Sequence, residues 1–123
     1  EPARISYYFT EDGLEDNTFL NLEQRKDIYM IFKEAINNVV KYSGATEVNI
    51  ILRRNGNLLR MVIADNGRGF DVSRSNSGNG LKNMHTRAEE MGATIRVESV
   101  PGTGTSIQLE LPLTANPPVN TGS

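Results

Sequence analysis

The chain contains no cysteine, so neither a disulfide framework nor a thiolate metal site is open to it. Its one histidine, His85, cannot build a zinc site alone. No apolar run approaches the roughly 18 residues of a membrane span, and no signal peptide is visible. Charge of one sign is lacking too: 13 basic against 15 acidic side chains give a net charge of -2, without the basic patch that nucleic acid requires. No basic amphipathic stretch points to a membrane surface. No nucleophile, base and orienter stand together as covalent hydrolysis requires. There is no internal repeat, and no linker long enough to divide domains. The 123 residues suit one domain with one real core. The chain opens with Glu-Pro rather than Met, and is read as a piece of a longer protein.

What is present is an ordered set of short elements. Arg4 to Phe9 alternates as a strand, with Ile5, Tyr7 and Phe9 on one face. Residues 10–18 are acidic and polar, a connector. Asn21 and Gln24 stand at capping-box spacing, and the helix they open is expected to run to about Tyr42 and stop at Ser43-Gly44. Ile28, Phe32, Ala35 and Val39 form its apolar stripe. Residues 47–54 and 58–65 alternate around Arg54-Asn55-Gly56-Asn57, a hairpin turn because Asn-Gly accepts positive φ cheaply. A Ser/Asn-rich loop at 71–77 precedes a second helix with Leu81, Met84, Ala88 and Met91 on its apolar face, ended by Gly92. Two more alternating strands, 94–99 and 105–111, flank Pro101-Gly102-Thr103-Gly104. The expected domain is 1–113, with 114–123 a disordered tail.

Strands polar on one face and apolar on the other call for helices on one side only. The expected fold is therefore α+β: a two-layer α/β sandwich whose mixed, mainly antiparallel sheet carries its helices on one face. Parity within the strands then matters. Asp65 and Thr105 fall on the helix-facing side. A lone carboxylate buried there costs several kcal/mol unless it is paired or used.

Three groups of residues carry chemistry. Glu34, Asn38 and Lys41 lie at i, i+4 and i+7 on the first helix: a carboxylate to orient or deprotonate, a neutral oxygen for Mg²⁺, a cation for phosphate. The plainer reading of that stripe is a solvated face with a Glu-to-Lys attraction. Asp65-Asn66-Gly67-Arg68-Gly69 ends a strand with an acceptor for an exocyclic amine, beside glycines that admit a close neighbour. Its plainer reading is a turn. Gly78-Asn79-Gly80 opens a helix, where free N–H groups and the dipole favour phosphate, or else forms a hinge. It is neither a dinucleotide fingerprint nor a Walker loop, since the third glycine and the Gly-Lys-Ser/Thr ending are absent. His85 falls beside the second helix's apolar stripe and reads as a surface or boundary residue.

Taken together and in order, these residues resemble a known family. Glu34-Ala-Ile-Asn-Asn38-Val-Val-Lys41-Tyr42 is similar to the N box of the GHKL ATPases, Asp65-Asn-Gly67-Arg-Gly69-Phe70 to their G1 box, Gly78-Asn-Gly80-Leu81 to their G2 box, and Gly102-Thr-Gly104-Thr105 to their terminal glycine-threonine motif. Within that superfamily the chain resembles the catalytic domain of a bacterial two-component sensor histidine kinase, of the short-lid group that includes nitrate- and lipid-fluidity-sensing kinases. The resemblance implies ATP and Mg²⁺ as ligands. Asp65 would meet the adenine amino group, with Gly67 in the same box and Gly69 beside the base. Thr105 would support the adenine end. Asn38 would hold Mg²⁺, with Glu34 assisting it or acting as base. Lys41 and the amides around Gly78, Gly80 and Leu81 would meet phosphates. Tyr42 would line the pocket, and residues 70–77, from Phe70 on, would be the lid.

The resemblance also implies partners: an upstream dimerisation domain that carries the phosphoacceptor histidine, a response regulator served indirectly, and a homodimeric full-length protein. No nucleic-acid or membrane contact is expected of this domain, which would be the cytoplasmic part of a membrane-anchored sensor. His85 lies after the second glycine box and lacks an acidic neighbour, so it does not fit the acceptor. Two rivals share the fold: a serine kinase of the anti-sigma-factor type, and a non-catalytic, nucleotide-gated interaction module.

Overall fold

The computed structural model describes residues 4–13, 20–69 and 79–113, with only the backbone for Tyr42 and residues 79–81. In chain order the elements are β1 (Ser6–Asp12), α1 (Leu22–Asn38), β2 (Glu47–Asn55), β3 (Leu58–Asp65), α2 (Asn79–Glu90), β4 (Thr94–Val100) and β5 (Gly104–Pro112). The strands form one sheet in the order β1-β2-β3-β5-β4. β1 and β2 run parallel, as a crossover through α1 requires, and the other pairs are antiparallel. This is the mixed α+β sheet expected from the strand pattern.

Asn21 starts α1 through a full capping box: its side chain accepts from Gln24 N at 2.7 Å, and its own N–H donates to Gln24 Oε1 at 3.0 Å. The helix buries Ile31 and Ala35 against the sheet, with Val39 buried just past its end. Ile28 and Phe32, expected in the centre of that stripe, are only half-buried, so the buried line lies nearer Ile31 than the sequence pattern suggests. Past Asn38 the helix widens into a π-helical turn, Val39–Ser43, closed by Gly44 at φ 66°. α2 ends in a Schellman arrangement, with Ala93 N bonded to Ala88 O at 2.8 Å and Gly92 at φ 78°.

The core lies between helices and sheet in rows that cross the strands. One row is Ile50, Ile63, Ile107 and Val97; the next is Leu52, Met61, Leu109 and Ile95. Met84 and Ala88 of α2 belong to the same buried cluster. The opposite face is wet, with the cross-strand pairs Asp12–Arg53 and Arg60–Glu110 both at 3.6 Å. Such exposed pairs contribute little to stability.

Two local expectations change. β1 starts and ends later than the alternation suggested, and takes Thr10 to Asp12 from the connector. It is the edge strand, with a neighbour on one side only, and Tyr7 and Phe9 of its shared face are 48% and 56% exposed. The β2–β3 hairpin, expected at Arg54-Asn55-Gly56-Asn57, has Gly56-Asn57 as its two-residue loop rather than Asn55-Gly56 at its centre. Gly56 alone has positive φ, 63°, while Asn55 pairs with Leu58 as the last ladder position. Glycine first in a two-residue loop is the choice of a type II′ turn. The expected connector at 14–18 and the tail at 114–123 lie outside the described residues.

Candidate functional site

At one end of the sheet the crossing rows turn polar. Val48, Asp65, Thr105 and Ser99 are register partners on β2, β3, β5 and β4, one step beyond the row of Ile50. They share the parity of the core residues, so Asp65 and Thr105 face the helix layer, as strand alternation predicts. Both are half-buried. One carboxylate oxygen of Asp65, Oδ1, accepts from Gly67 N at 2.8 Å. That bond fixes the orientation of the carboxylate. Thr105 Oγ1 lies 2.7 Å from Ser99 Oγ.

The loop after Asp65 is fastened on three sides. Asn66 Oδ1 accepts from Thr46 N and Glu47 N at 2.9 and 3.0 Å, and Asn66 Nδ2 donates to Thr46 Oγ1 at 3.1 Å. Arg68 N donates to Ser43 O at 2.8 Å, and Gly102 N donates to Arg68 O at 2.6 Å. The end of α1, the start of β2 and the β4–β5 turn thus all hold one loop.

The glycines of this loop are explained by the chain itself. A Cβ on Gly67 would meet Ser43 O at 2.5 Å and Ser43 Cβ at 2.6 Å. A Cβ on Gly69, at φ 64°, would collide with Val100 O, and one on Gly104 would collide with Asp65 O. Of the two uses the sequence allows these glycines, a close neighbour or a bent loop, the structure shows neighbours from the chain itself: Ser43 beside Gly67 and the Val100 backbone beside Gly69.

Glu34 and Asn38 are half-buried on the side of α1 that meets α2. The marker of that side is Asp27, two turns before Glu34, whose Oδ1 lies 3.5 Å from Arg87 Nη1 of α2. Among the described residues neither Glu34 nor Lys41 has an ion-pair partner, so the Glu-to-Lys attraction of the plainer reading does not form. Lys41 also leaves the stripe. It falls within the π turn, whose i→i+5 bonds take more residues per turn than an α-helix, and it is exposed. Ser43 supports that turn by donating to Val39 O at 2.8 Å while accepting from Ala45 N at 3.0 Å.

α2 begins at Asn79, inside the Gly-Asn-Gly expected to open it. The backbone of Gly80 and Leu81 lies in its first turn, where N–H groups have no partner within the helix. Phe70, the expected lid at 70–77 and Gly78 fall outside the described residues, as do the side chains of Tyr42 and Leu81. His85 is exposed on α2, in keeping with a surface reading. Ser99 carries no role in the sequence reading, and Asn66 and Ser43 stand there only as a motif member and a helix stop, not as anchors of the loop. The mirror spacing of Ser99 and Thr105 about the Pro101–Thr103 turn was the one available signal for the first of them.

Among the described residues no three of His, Asp and Glu gather into a metal cluster. The protein oxygens at hand for a metal are the amide of Asn38 and the carboxylate of Glu34. That set fits an ion that keeps several waters and takes its remaining ligands from phosphate, as Mg²⁺ does.

Comparison with known proteins agrees with this geometry. The family described as "Histidine kinase-, DNA gyrase B-, and HSP90-like ATPase" matches residues 23–115. The chain is 40% identical over 102 residues to the sensor protein VraS of Staphylococcus aureus strain COL, covering 82% of this chain and 26% of that protein. VraS of Staphylococcus haemolyticus matches at the same identity and coverage. The chain therefore spans about a quarter of the length of these curated relatives. Among solved structures, the histidine kinase domain of the Erythrobacter litoralis EL346 blue-light activated histidine kinase superposes with TM-score 0.69 at 24% identity, covering 89% of this chain and 56% of that one. The Acinetobacter baumannii histidine kinase AdeS superposes with TM-score 0.65 at 19% identity, covering 74% and 48%. These two likenesses bear on the fold alone. The family match over residues 23–115 shows that the chain belongs to the histidine kinase-, DNA gyrase B- and HSP90-like ATPase family.

Proposed function

We propose that this chain is the γ-phosphoryl donor domain of a two-component sensor histidine kinase. It binds Mg²⁺·ATP between the helix layer and the polar end of the sheet. There it presents the γ-phosphate to a histidine on a dimerisation domain of the same protein. The observation that carries the reading is the polar row itself. Asp65 and Thr105 interrupt an apolar, helix-facing surface at the strand end, in a chain 40% identical to a sensor protein over 102 residues.

In this reading Asp65 Oδ2 accepts from the exocyclic amine of adenine, while Gly67 N holds the other oxygen in place. Gly69 keeps the loop low enough to leave room for the base. Thr105 accepts at the same end of the ring. Gly78, Tyr42 and residues 70–77 lie along the sequence where the ligand would be enclosed. The amides at Gly80 and Leu81 and the ammonium of Lys41 meet phosphates. Asn38 would hold the metal, with Glu34 assisting it or acting as the base; when bound, the metal neutralises phosphate charge. Glu34 takes the proton from the attacking imidazole as its nitrogen forms the N–P bond and the P–O bond to the β-phosphate breaks, releasing ADP. Most of the catalysis is positioning and charge neutralisation.

The phosphoryl group then passes to a response regulator, and the full-length protein works as a homodimer anchored at the membrane with this domain on the cytoplasmic side. Calorimetric titration with ADP and a non-hydrolysable ATP analogue, with and without Mg²⁺, tests the site. Binding strengthened by Mg²⁺ and lost in Asp65→Ala is expected; absence of binding by the folded parent refutes it. In the longer protein, acid-labile phosphate that disappears in Glu34→Gln marks histidine transfer. Acid-stable phosphate marks a serine kinase, and no transfer at all marks an interaction module.

A further inference from the structure

Thr105 stands between Asp65 on β3 and Ser99 on β4, and is the register partner of both. Among its contacts with described residues, Ser99 Oγ donates to Gly104 O at 3.2 Å and lies 2.7 Å from Thr105 Oγ1. A serine hydroxyl has one proton, and a carbonyl oxygen only accepts. With the Ser99 proton directed to Gly104 O, the short bond to Thr105 is donated by Thr105. The Thr105 hydroxyl then has only lone pairs to offer any other group.

Asp65, its neighbour in the row, is acceptor-only as a carboxylate. We infer that Ser99 is a positioning residue of the nucleobase pocket. It sets the sense of the Thr105 hydroxyl so that Asp65 and Thr105 form a wall of acceptors, which selects a purine bearing an exocyclic amine over a 6-oxo purine. The inference rests on the ATP-site reading above. A 6-oxo purine presents an acceptor to this wall, directly or through a bridging water, and finds no donor. Without the Ser99 hydroxyl, Thr105 is free to rotate and donate, and part of the discrimination is lost. Gly104 belongs to the same device: it has no room for a Cβ against Asp65 O, and this brings the β5 backbone close enough to take the Ser99 proton.

The test is titration of the 123-residue chain with ADP and IDP, in the parent, Ser99→Ala, Thr105→Val and the double variant. The parent should prefer ADP. Ser99→Ala should lower the ADP-to-IDP affinity ratio about three- to tenfold, the range of one hydrogen bond. The same change in the Thr105→Val background should leave the ratio where Thr105→Val put it. Ser99→Thr, which restores a hydroxyl, should recover the parent ratio.

A merely structural role for Ser99 weakens both nucleotides alike and keeps the ratio, and that result overturns the inference. So does an equal change in ratio with and without the Thr105 hydroxyl. Should Ser99→Ala fail to fold, Ser99→Cys, with its weak donor, takes its place under the same criteria. A folded parent that binds neither nucleotide overturns the ATP-site reading itself. A parent that binds ADP while Ser99→Ala keeps the ratio overturns only the role given to Ser99.

Discussion

Three glycines of this chain separate two physical costs that alanine substitution usually mixes. Gly56 has φ 63° and open space where a Cβ would stand. Gly67 has no left-handed φ, but its Cβ would meet Ser43 O at 2.5 Å and Ser43 Oγ at 2.8 Å. Gly69 has both: φ 64° and a collision with Val100 O. Gly56→Ala should therefore show the conformational cost alone, about 1–2 kcal/mol for an L-residue in the left-handed region. Gly67→Ala should show the steric cost alone, about 1–3 kcal/mol for a forced backbone shift. Gly69→Ala should show roughly their sum, about 2–5 kcal/mol.

Each replacement also stiffens the unfolded chain, by about 0.4–1 kcal/mol, but this term is common to all three and cancels in the differences. Urea unfolding of the four proteins, with a shared slope, measures them. In a thermal scan each kcal/mol moves Tm by about 4 °C for a chain of this size. Nucleotide titration adds a second axis. Gly67→Ala and Gly69→Ala disturb the loop that carries Asp65 and weaken binding, while Gly56→Ala, on the far hairpin, leaves it unchanged. Gly67→Ala as stable as the parent would mean that the loop does not pack against Ser43 and that the account of this site is wrong.

Other substitutions probe single contacts. Asp65→Asn keeps an oxygen for Gly67 N but turns an amide NH₂ towards the base. ADP should bind about 10- to 150-fold more weakly, the range of a charged hydrogen bond, while IDP gains on it; equal weakening of both nucleotides would refute the adenine contact. Asn21→Ala removes the N-cap of α1 and should cost about 1 kcal/mol in urea unfolding without changing nucleotide affinity. Asn66→Ala loses three bonds to Thr46 and Glu47; about 1–2 kcal/mol of stability should go, with faster amide exchange at both residues, and unchanged exchange would show that Asn66 is no anchor.

How much of this was legible beforehand depends on the distance over which each feature is determined. The start of α1 was readable because a capping box is settled within four residues, Asn21 to Gln24. The helix-facing parity of Asp65 and Thr105 was readable because strand alternation carries it from Ile63 and Ile107. The π turn after Asn38 was not. Nothing in Val39–Ser43 alone demands it, and Ser43, which closes it, is held from the other side by Arg68, 25 residues away in sequence. The exposure of Tyr7 and Phe9 was hidden for a similar reason. An alternating pattern shows which residues share a face, but not that the strand lies at the edge of the sheet.

The glycines of the Asp65 loop show the same division more sharply. From sequence, Gly67 and Gly69 admit a ligand or a bend. In the structure their missing side chains admit Ser43 and Val100, and through them the end of α1 and the β4–β5 turn. The two accounts are connected. A carboxylate on a free loop would sample many positions and lose binding energy to ordering it. Here the loop is fixed by contacts that only glycine permits, and the carboxylate is fixed by Gly67 N. In the proposed site the pocket wall would thus be built before any ligand arrives, from elements far apart in the sequence. Ser43 holds this loop through Arg68 and the space beside Gly67, contacts made within the chain, so a motif defined by ligand contacts passes over it.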